Sequence, residues 1–502
     1  MIPVSKEIHP NQECFDQDPY PGEPKILFIG IPYSSHTLSW INLLQGEHLN
    51  IRTFSVGDGY PPDDWLFKIY LTTRYLPRNL NTSFRSSLYP TPEERDLSRS
   101  KFLFYTQNSG AYIKNKLKIY FFKMMISLSN LFNIDSYSMN TQKQLLEKKI
   151  IEINNEWKNH EIKDIFGEFN KFTKEILSII FPKLFPVVVP RNKAGSEMDW
   201  LAHIINVWKP DIIHTLGFTP ATDFFYETIN KANMKPDAKW VLQARGSPDL
   251  SLHQHIPEKR ERDQIFLQNC NVLIADNYHN YGIARELGIR PEKIAPFGIV
   301  PGSGGIDVDT ICSQWSTPPS KRKRIIYIPK FYNGPYNKIS PVIEALILTY
   351  NQIAPVEIFV SPEASDDIKN YFYTFPREFQ NSFRWLGNIS RQQVINNMMQ
   401  ARVMLAPSLS DGIPNVYYEA AACGTFPILS PIESITQLIS AEKHALFARN
   451  LYPNEIAVAI LRAMNDDILV DSAVANNLSI VYEYADSKKI KEKIVNFYRS
   501  LV

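Results

Sequence analysis

The chain lacks most of the features that would place a protein at a glance. Of its 502 residues only four are cysteines, Cys14, Cys270, Cys312 and Cys423, with no CxxC pair and no histidine cluster beside them. That spacing argues against a disulfide framework or a structural zinc site and suits a reducing compartment. No apolar run approaches 18 residues free of charge, so no membrane-spanning helix is expected. Lys and Arg number 54 against 52 Asp and Glu, a formal net charge of +2, which leaves no global field to attract nucleic acid. There is no Walker loop and no GxGxxG, so a nucleoside triphosphatase or a simple dehydrogenase has no support. Residues 1–24 lack an apolar stretch and carry several acids. They read as a surface extension rather than a secretory leader, and the expected location is the cytoplasm.

What is present is an ordinary globular composition, 44% hydrophobic and 21% charged, in a chain long enough for two cores. KILFIGI (25–31) is an apolar run of strand length ending at Gly30 and Pro32. Ser34, Ser35, His36 and Thr37 then offer helix-capping chemistry before LSWINLL. This strand, turn and helix order opens a doubly wound α/β domain. DIIHTLGF (211–218), KWVLQARG (239–246) and NVLIAD (271–276) repeat it, whereas the aromatic, helix-leaning span of about 60–200 reads as an insertion. After the Gly-, Ser- and Pro-rich tract 301–324 the pattern returns in RIIYIPK, VEIFVSP, FRWLGNIS, RVMLAPS and TFPILS. The predicted organisation is an extension (1–24), a first Rossmann-like domain (25–305), a linker (306–323), a second such domain (324–480), and a final helix (481–502) packing back on the first. Ligands of such open sheets bind beyond the carboxyl ends of the strands, here in a cleft between the domains.

The most informative passage is APSLSDGIPNVYYEAAACGTFPI (406–428). It reads as a strand, a short polar loop, a helix, and Gly424 as a stop. Gly412 lets backbone approach a ligand, and Pro414 suits a first helical turn, where a missing N–H costs nothing. Free amides from Gly412 through Ile413 and Asn415 would point at an anion with the helix dipole behind them. Asp411 in the loop and Glu419 in the second turn face one ligand from two places.

This passage resembles the donor-site signature of glycosyltransferase family 4, retaining enzymes of GT-B architecture: an acid, seven residues and a glutamate within a pattern like PSxxEGxPNVxxEAxACGxPVI. The likeness extends over most of 320–500 and, more weakly, over 25–45 and 205–310. It implies two Rossmann-like domains across a cleft and a sugar taken from a nucleotide-sugar donor without a metal cofactor. Lys330 and Lys338 fall where the family carries its cations for the donor pyrophosphate, and Gly387 with Asn388 near the nucleotide base. Glu419 would hold the ribose hydroxyls and Asp411 a hydroxyl of the donor sugar. Arg245 stands where many members have a histidine near that sugar, Asp411 is shorter than the commoner glutamate, and Glu433, Ser434 and Gln437 replace positions that often read Gly-Gly and Glu.

The activity implied is that of a hexosyltransferase (EC 2.4) acting on a glycan or lipid-linked saccharide in cell-envelope polysaccharide or glycoconjugate synthesis. The departures keep a second reading open, a catalytically impaired GT-B protein that binds nucleotide sugar or glycan. Ser35 and His36 are acceptor-side candidates, His36 suiting a base and a capping or packing residue equally. His214, ending a buried strand, reads as a core histidine. Asp307-Val-Asp309 spells the DxD of metal-dependent transferases but lies in the linker, so no metal site is expected. Residues 101–134 hold five lysines and no acid among Phe and Tyr. That composition suits a peripheral membrane contact or an aromatic stripe packed on the domain.

Overall fold

A computed structural model describes residues 18–57, 66–73, 85–89, 197–246 and 249–502. Segment 101–134, Cys14 and most of the insertion lie outside them. The described part of that insertion is not wholly helical: it contains two strands, Lys68–Thr73 and Arg85–Tyr89, before the helix Glu197–Trp208.

Two sheets carry the fold. The first orders its strands β4-β3-β2-β1-β5-β6-β7, where β1 is Lys25–Gly30, β2 Asn50–Ser55, β3 Lys68–Thr73, β4 Arg85–Tyr89, β5 Ile212–Leu216, β6 Lys239–Ala244 and β7 Val272–Ala275. All pairs are parallel except β3 with β4. The second orders β10-β9-β8-β11-β12-β13 and is parallel throughout, with β8 Ile325–Ile328, β9 Glu357–Val360, β10 Phe383–Trp385, β11 Val403–Leu405, β12 Phe426–Leu429 and β13 Leu446–Phe447. Runs such as FPIL in β12 and IIHTL in β5 are buried at every position, as strands covered by helices on both faces must be.

The parallel strands of each sheet follow the doubly wound order 3-2-1-4-5-6. The order reverses between β1 and β5 in one sheet and between β8 and β11 in the other. Chains leaving such neighbours diverge and open a crevice beyond the strand ends, and both crevices belong to the same cleft. The architecture is therefore α/β with two Rossmann-like domains.

The chain passes between the domains twice, at adjoining places. Ile306 N donates to Ala485 O and Ser487 N to Ile306 O, each 2.8 Å. Gly305 (φ +85°) is required there, because a Cβ would lie 2.3 Å from Ala485 O. The following tract is anchored rather than loose: Asp307 caps the helix Val308–Cys312, and Trp315 Nε1 donates to Ala422 O at 2.8 Å. The last helix, Ser487–Ser500, buries Ile490, Ile494, Val495, Phe497 and Tyr498 in one cluster with Ile26, Phe28, Trp40 and Ile41 of the first domain. Among the described residues no helix is long and apolar enough to cross a membrane.

Candidate functional site

The site grows from the switch point of the second sheet. Lys330 lies two residues beyond β8, and the segment after β11 reaches across to it. Its ammonium pairs with the Asp411 carboxylate and donates to Ser408 Oγ at 3.2 Å. The loops are held by their own polar groups. Asn337 Nδ2 donates to Lys330 O (3.0 Å) and Tyr332 O (2.8 Å), and Leu409 N donates to Tyr336 O (2.9 Å). Ser434 Oγ donates to Asp411 O at 2.6 Å. Asn450 Nδ2 joins Lys338 O (3.0 Å) to Pro407 O (2.8 Å), which fixes the backbone of Lys338. The Lys338 ammonium itself has no partner among the described residues.

Pro414 occupies the cap position just outside the helix Asn415–Ala422 rather than its first turn; its missing N–H is equally harmless there. The amides of Gly412, Ile413, Asn415 and Val416 find no acceptor among the described residues, as the start of a helix dictates. In the second turn Glu419 is buried, and its Oε1 accepts from Arg391 Nε at 3.1 Å. Burial pushes the Glu419 carboxyl above its usual range, and Arg391 opposes that shift. Gly387 (φ +67°) adjoins open space, and Asn388 beside it is exposed, its side-chain oxygen 3.4 Å from Glu363 N.

The first domain closes on this loop. A Cβ at Gly412 would lie 2.4 Å from Asp276 Oδ2 and 3.0 Å from Gly246 Cα, so the glycine serves an approach of protein to protein where the sequence suggested an approach to ligand. Asp276 is buried at the end of β7, and desolvation lifts its carboxyl to about 6 despite the bond from Gly246 N.

Asn415 bridges the domains: its Oδ1 accepts from Ser303 Oγ (3.1 Å), which turns its Nδ2 towards His36 Nδ1 (2.8 Å). His36 Nδ1 is therefore the acceptor, and the ring proton sits on Nε2. Desolvation, with Arg245, Arg391 and Lys330 nearby, holds the imidazole down to about 4, although Asp411 opposes them. In this arrangement His36 is a neutral Nε2 donor, because the lone pair a base would use is occupied. Ser35 begins the helix Ser35–Asn42 and is exposed, and the Ser34 side chain makes no cap bond.

Arg245 belongs to the first-domain wall. Its Nε donates to Gln243 Oε1 (3.0 Å), its Nη1 to Thr37 Oγ1 (3.2 Å), and its stem packs on Gly302. His214 is fully buried, with Nδ1 2.7 Å from Tyr498 Oη. Asp307 and Asp309 face Lys488 at 3.6 and 3.1 Å, which accounts for both members of the DxD.

Three contributors escaped the sequence reading: Arg391, Asp276 and Asn450. A buried Glu419 demanded a cation, but nothing in sequence spacing selects one 28 residues away.

The family model described as glycosyl transferases group 1 matches residues 322–466. Among solved structures, HepE from Anabaena in complex with UDP and glucose is 15% identical over 61% of this chain and 83% of that one, with a TM-score of 0.47. Sucrose-phosphate synthase from Thermosynechococcus elongatus is 16% identical over 63% and 80%, at 0.47. A glycosyltransferase from Rickettsia africae is 15% identical over 63% and 84%, at 0.46. No curated protein matches.

Proposed function

We propose that the chain is a retaining, metal-independent glycosyltransferase of GT-B type. It would move a hexose from a nucleotide-sugar donor to a glycan or lipid-linked saccharide in the cytoplasm, in cell-envelope polysaccharide or glycoconjugate synthesis. One observation supports this most: at the switch point of the segment matched to a glycosyltransferase family, Lys330 pairs with Asp411 beside four free amides, with the Lys338 backbone tied to the same region through Asn450 and a buried Glu419 in the helix that follows.

The roles follow from the chemistry of the bond. When the anomeric carbon leaves its phosphate oxygen, the electron pair stays on the diphosphate and positive character builds on the sugar. Amides of 412–416 and the Lys338 ammonium face the growing negative charge already oriented, so little reorganisation is needed. Lys330 is held by Asp411. Donor phosphate exchanges one anionic partner of Lys330 for another, which releases Asp411 to accept from a sugar hydroxyl. Glu419, kept in place by Arg391, takes the ribose hydroxyls. The neutral His36 offers its Nε2 proton to the acceptor side of the sugar.

A panel of UDP, GDP, ADP and CMP with their common sugar conjugates, scored by Tm with and without EDTA, tests the donor site. One nucleotide class should raise Tm equally under both conditions. Donor hydrolysis by the wild type beside Asp411→Ala and Glu419→Ala then tests turnover. Both variants should lose roughly 10–100-fold, the size expected for a lost hydrogen bond to a charged group. A Tm shift with no turnover in any chain would establish the binding-protein reading instead, while equal turnover in all three would sink the site.

A further inference from the structure

Behind Arg245 the first domain contains a cluster of hydrogen-bond donors with nothing to donate to. Trp40 Nε1 is a donor only and lies 3.2 Å from Tyr498 Oη, and the hydroxyl uses its own proton best by donating to His214 Nδ1, 2.7 Å away. In that arrangement every group of the trio is used, and the buried imidazole, held neutral by desolvation, carries its proton on Nε2. His214 Nε2 has no partner. Gln243 is likewise fully buried, and because its Oε1 accepts from Arg245 Nε, its Nε2 is the unpaired end. The third orphan is Arg245 Nη2.

These three groups share one region. In the register of β5 with β6, His214 pairs with Val241 and Leu216 with Gln243, so His214 and Gln243 stand on the same face as diagonal neighbours. The Trp40 ring lies 5.8 Å from the His214 ring and 6.0 Å from the Arg245 guanidinium. Arg245 Nε and Nη2 form the parallel prongs with which a guanidinium grips an oxyanion. Here one prong is taken by an amide oxygen and the other is empty.

The kind of occupant follows from the inventory. Each buried unpaired donor has given up water without gaining a partner, which opposes the fold. A water molecule accepts two hydrogen bonds, too few for three donors, and brings two donors of its own. An oxyanion brings acceptors only, and a negative charge to set against Arg245. We propose that Arg245, Gln243 and His214 form a binding site for one carboxylate or phosphate group, at the carboxyl end of the first sheet and apart from the donor loop. Its position suggests an anionic substituent on the acceptor, a point that rests on the transferase reading. The site itself does not.

Gln243→Glu makes the test, since a carboxylate there would grip both prongs of Arg245 and fill the site from within. Inorganic phosphate is titrated at low concentration into the full chain, with UDP saturating the donor loop, and Tm is followed. The wild type should respond to phosphate. Gln243→Glu should melt no lower than the wild type without phosphate and should lose the response by roughly tenfold or more in apparent affinity. No response in the wild type, or an equal one in both chains, overturns the site. Glucose and glucose 6-phosphate identify the source: a response to the sugar phosphate well below the concentration needed for phosphate marks a substrate-borne group, and equal responses mark a free ion. Because Gln243→Glu acts through its own contact with Arg245 and touches no donor-loop residue, the comparison stands even if UDP does not bind.

Discussion

Glu419 and Arg391 show what one buried charge requires of its neighbours. Removing the guanidinium by Arg391→Ala leaves a desolvated carboxylate, and the expected loss is about 1–2 kcal/mol, discounted because Arg391 is half exposed. The Glu419 carboxyl is already raised, so its burial opposes the fold increasingly as pH rises above the usual carboxylate value. The Tm gap between wild type and Arg391→Ala should therefore be small near pH 4.5 and widen towards pH 8. His36 has the opposite sign. Its folded value, about 4, lies below its ordinary 6.5, so the neutral form is the folded one. Its contribution is complete above pH 6.5 and disappears as pH falls through about 4. His36 keeps an exposed face that solvent screens, so His36→Gln should flatten the acid-side fall of Tm only modestly across that window, and an unchanged slope would show that the imidazole is not desolvated in the folded chain.

At the scale of elements, the loop between β11 and its helix is decided by how close the first domain comes. Gly412→Ala sets a methyl against Asp276 and Gly246, groups that are buried or backbone and have little room to yield. The chain should still fold, losing about 1–3 kcal/mol at most, because the second core is untouched. UDP affinity should fall by about tenfold at most, since the amides of Ile413, Asn415 and Val416 remain, while donor hydrolysis falls by roughly a hundredfold, the effect of displacing a catalytic wall by about 1 Å. Much of this region was readable beforehand. Strand-length runs bounded by turn residues gave β1 and β5–β12, and the spacing from Asp411 to Glu419 placed one acid in the loop and the other in the helix. Other features were not readable, for stated reasons. β3 and β4 lie in a span whose aromatic content masks strand periodicity. The cap role of Asp307 depends on where a short helix starts. Gly412 looks the same in sequence whether ligand or protein comes near it.

For the molecule as a whole, the two domains share their closing helix. Tyr498 carries the hydroxyl between Trp40 and His214, so Tyr498→Phe strands a buried donor on Trp40 and costs about 1–3 kcal/mol. That loss should appear as a lower Tm for one cooperative transition. A separate early melting phase would mean the helix is a detachable appendage. The tyrosine's partners could not be foreseen from the sequence, since they come from residues 40 and 214.

That shared helix also bears on synthesis. The first domain's last described strand, β7, ends at residue 275, yet its core stays open on one side until residues 487–500 arrive. At ~5–20 residues per second the ribosome leaves that face uncovered for roughly 10–45 s after β7 has been made. A nascent first domain of this kind completes its core only after the second domain has been made. It needs either a chaperone to shelter the apolar face around Phe28 and Ile41 or a fold that waits for its own end.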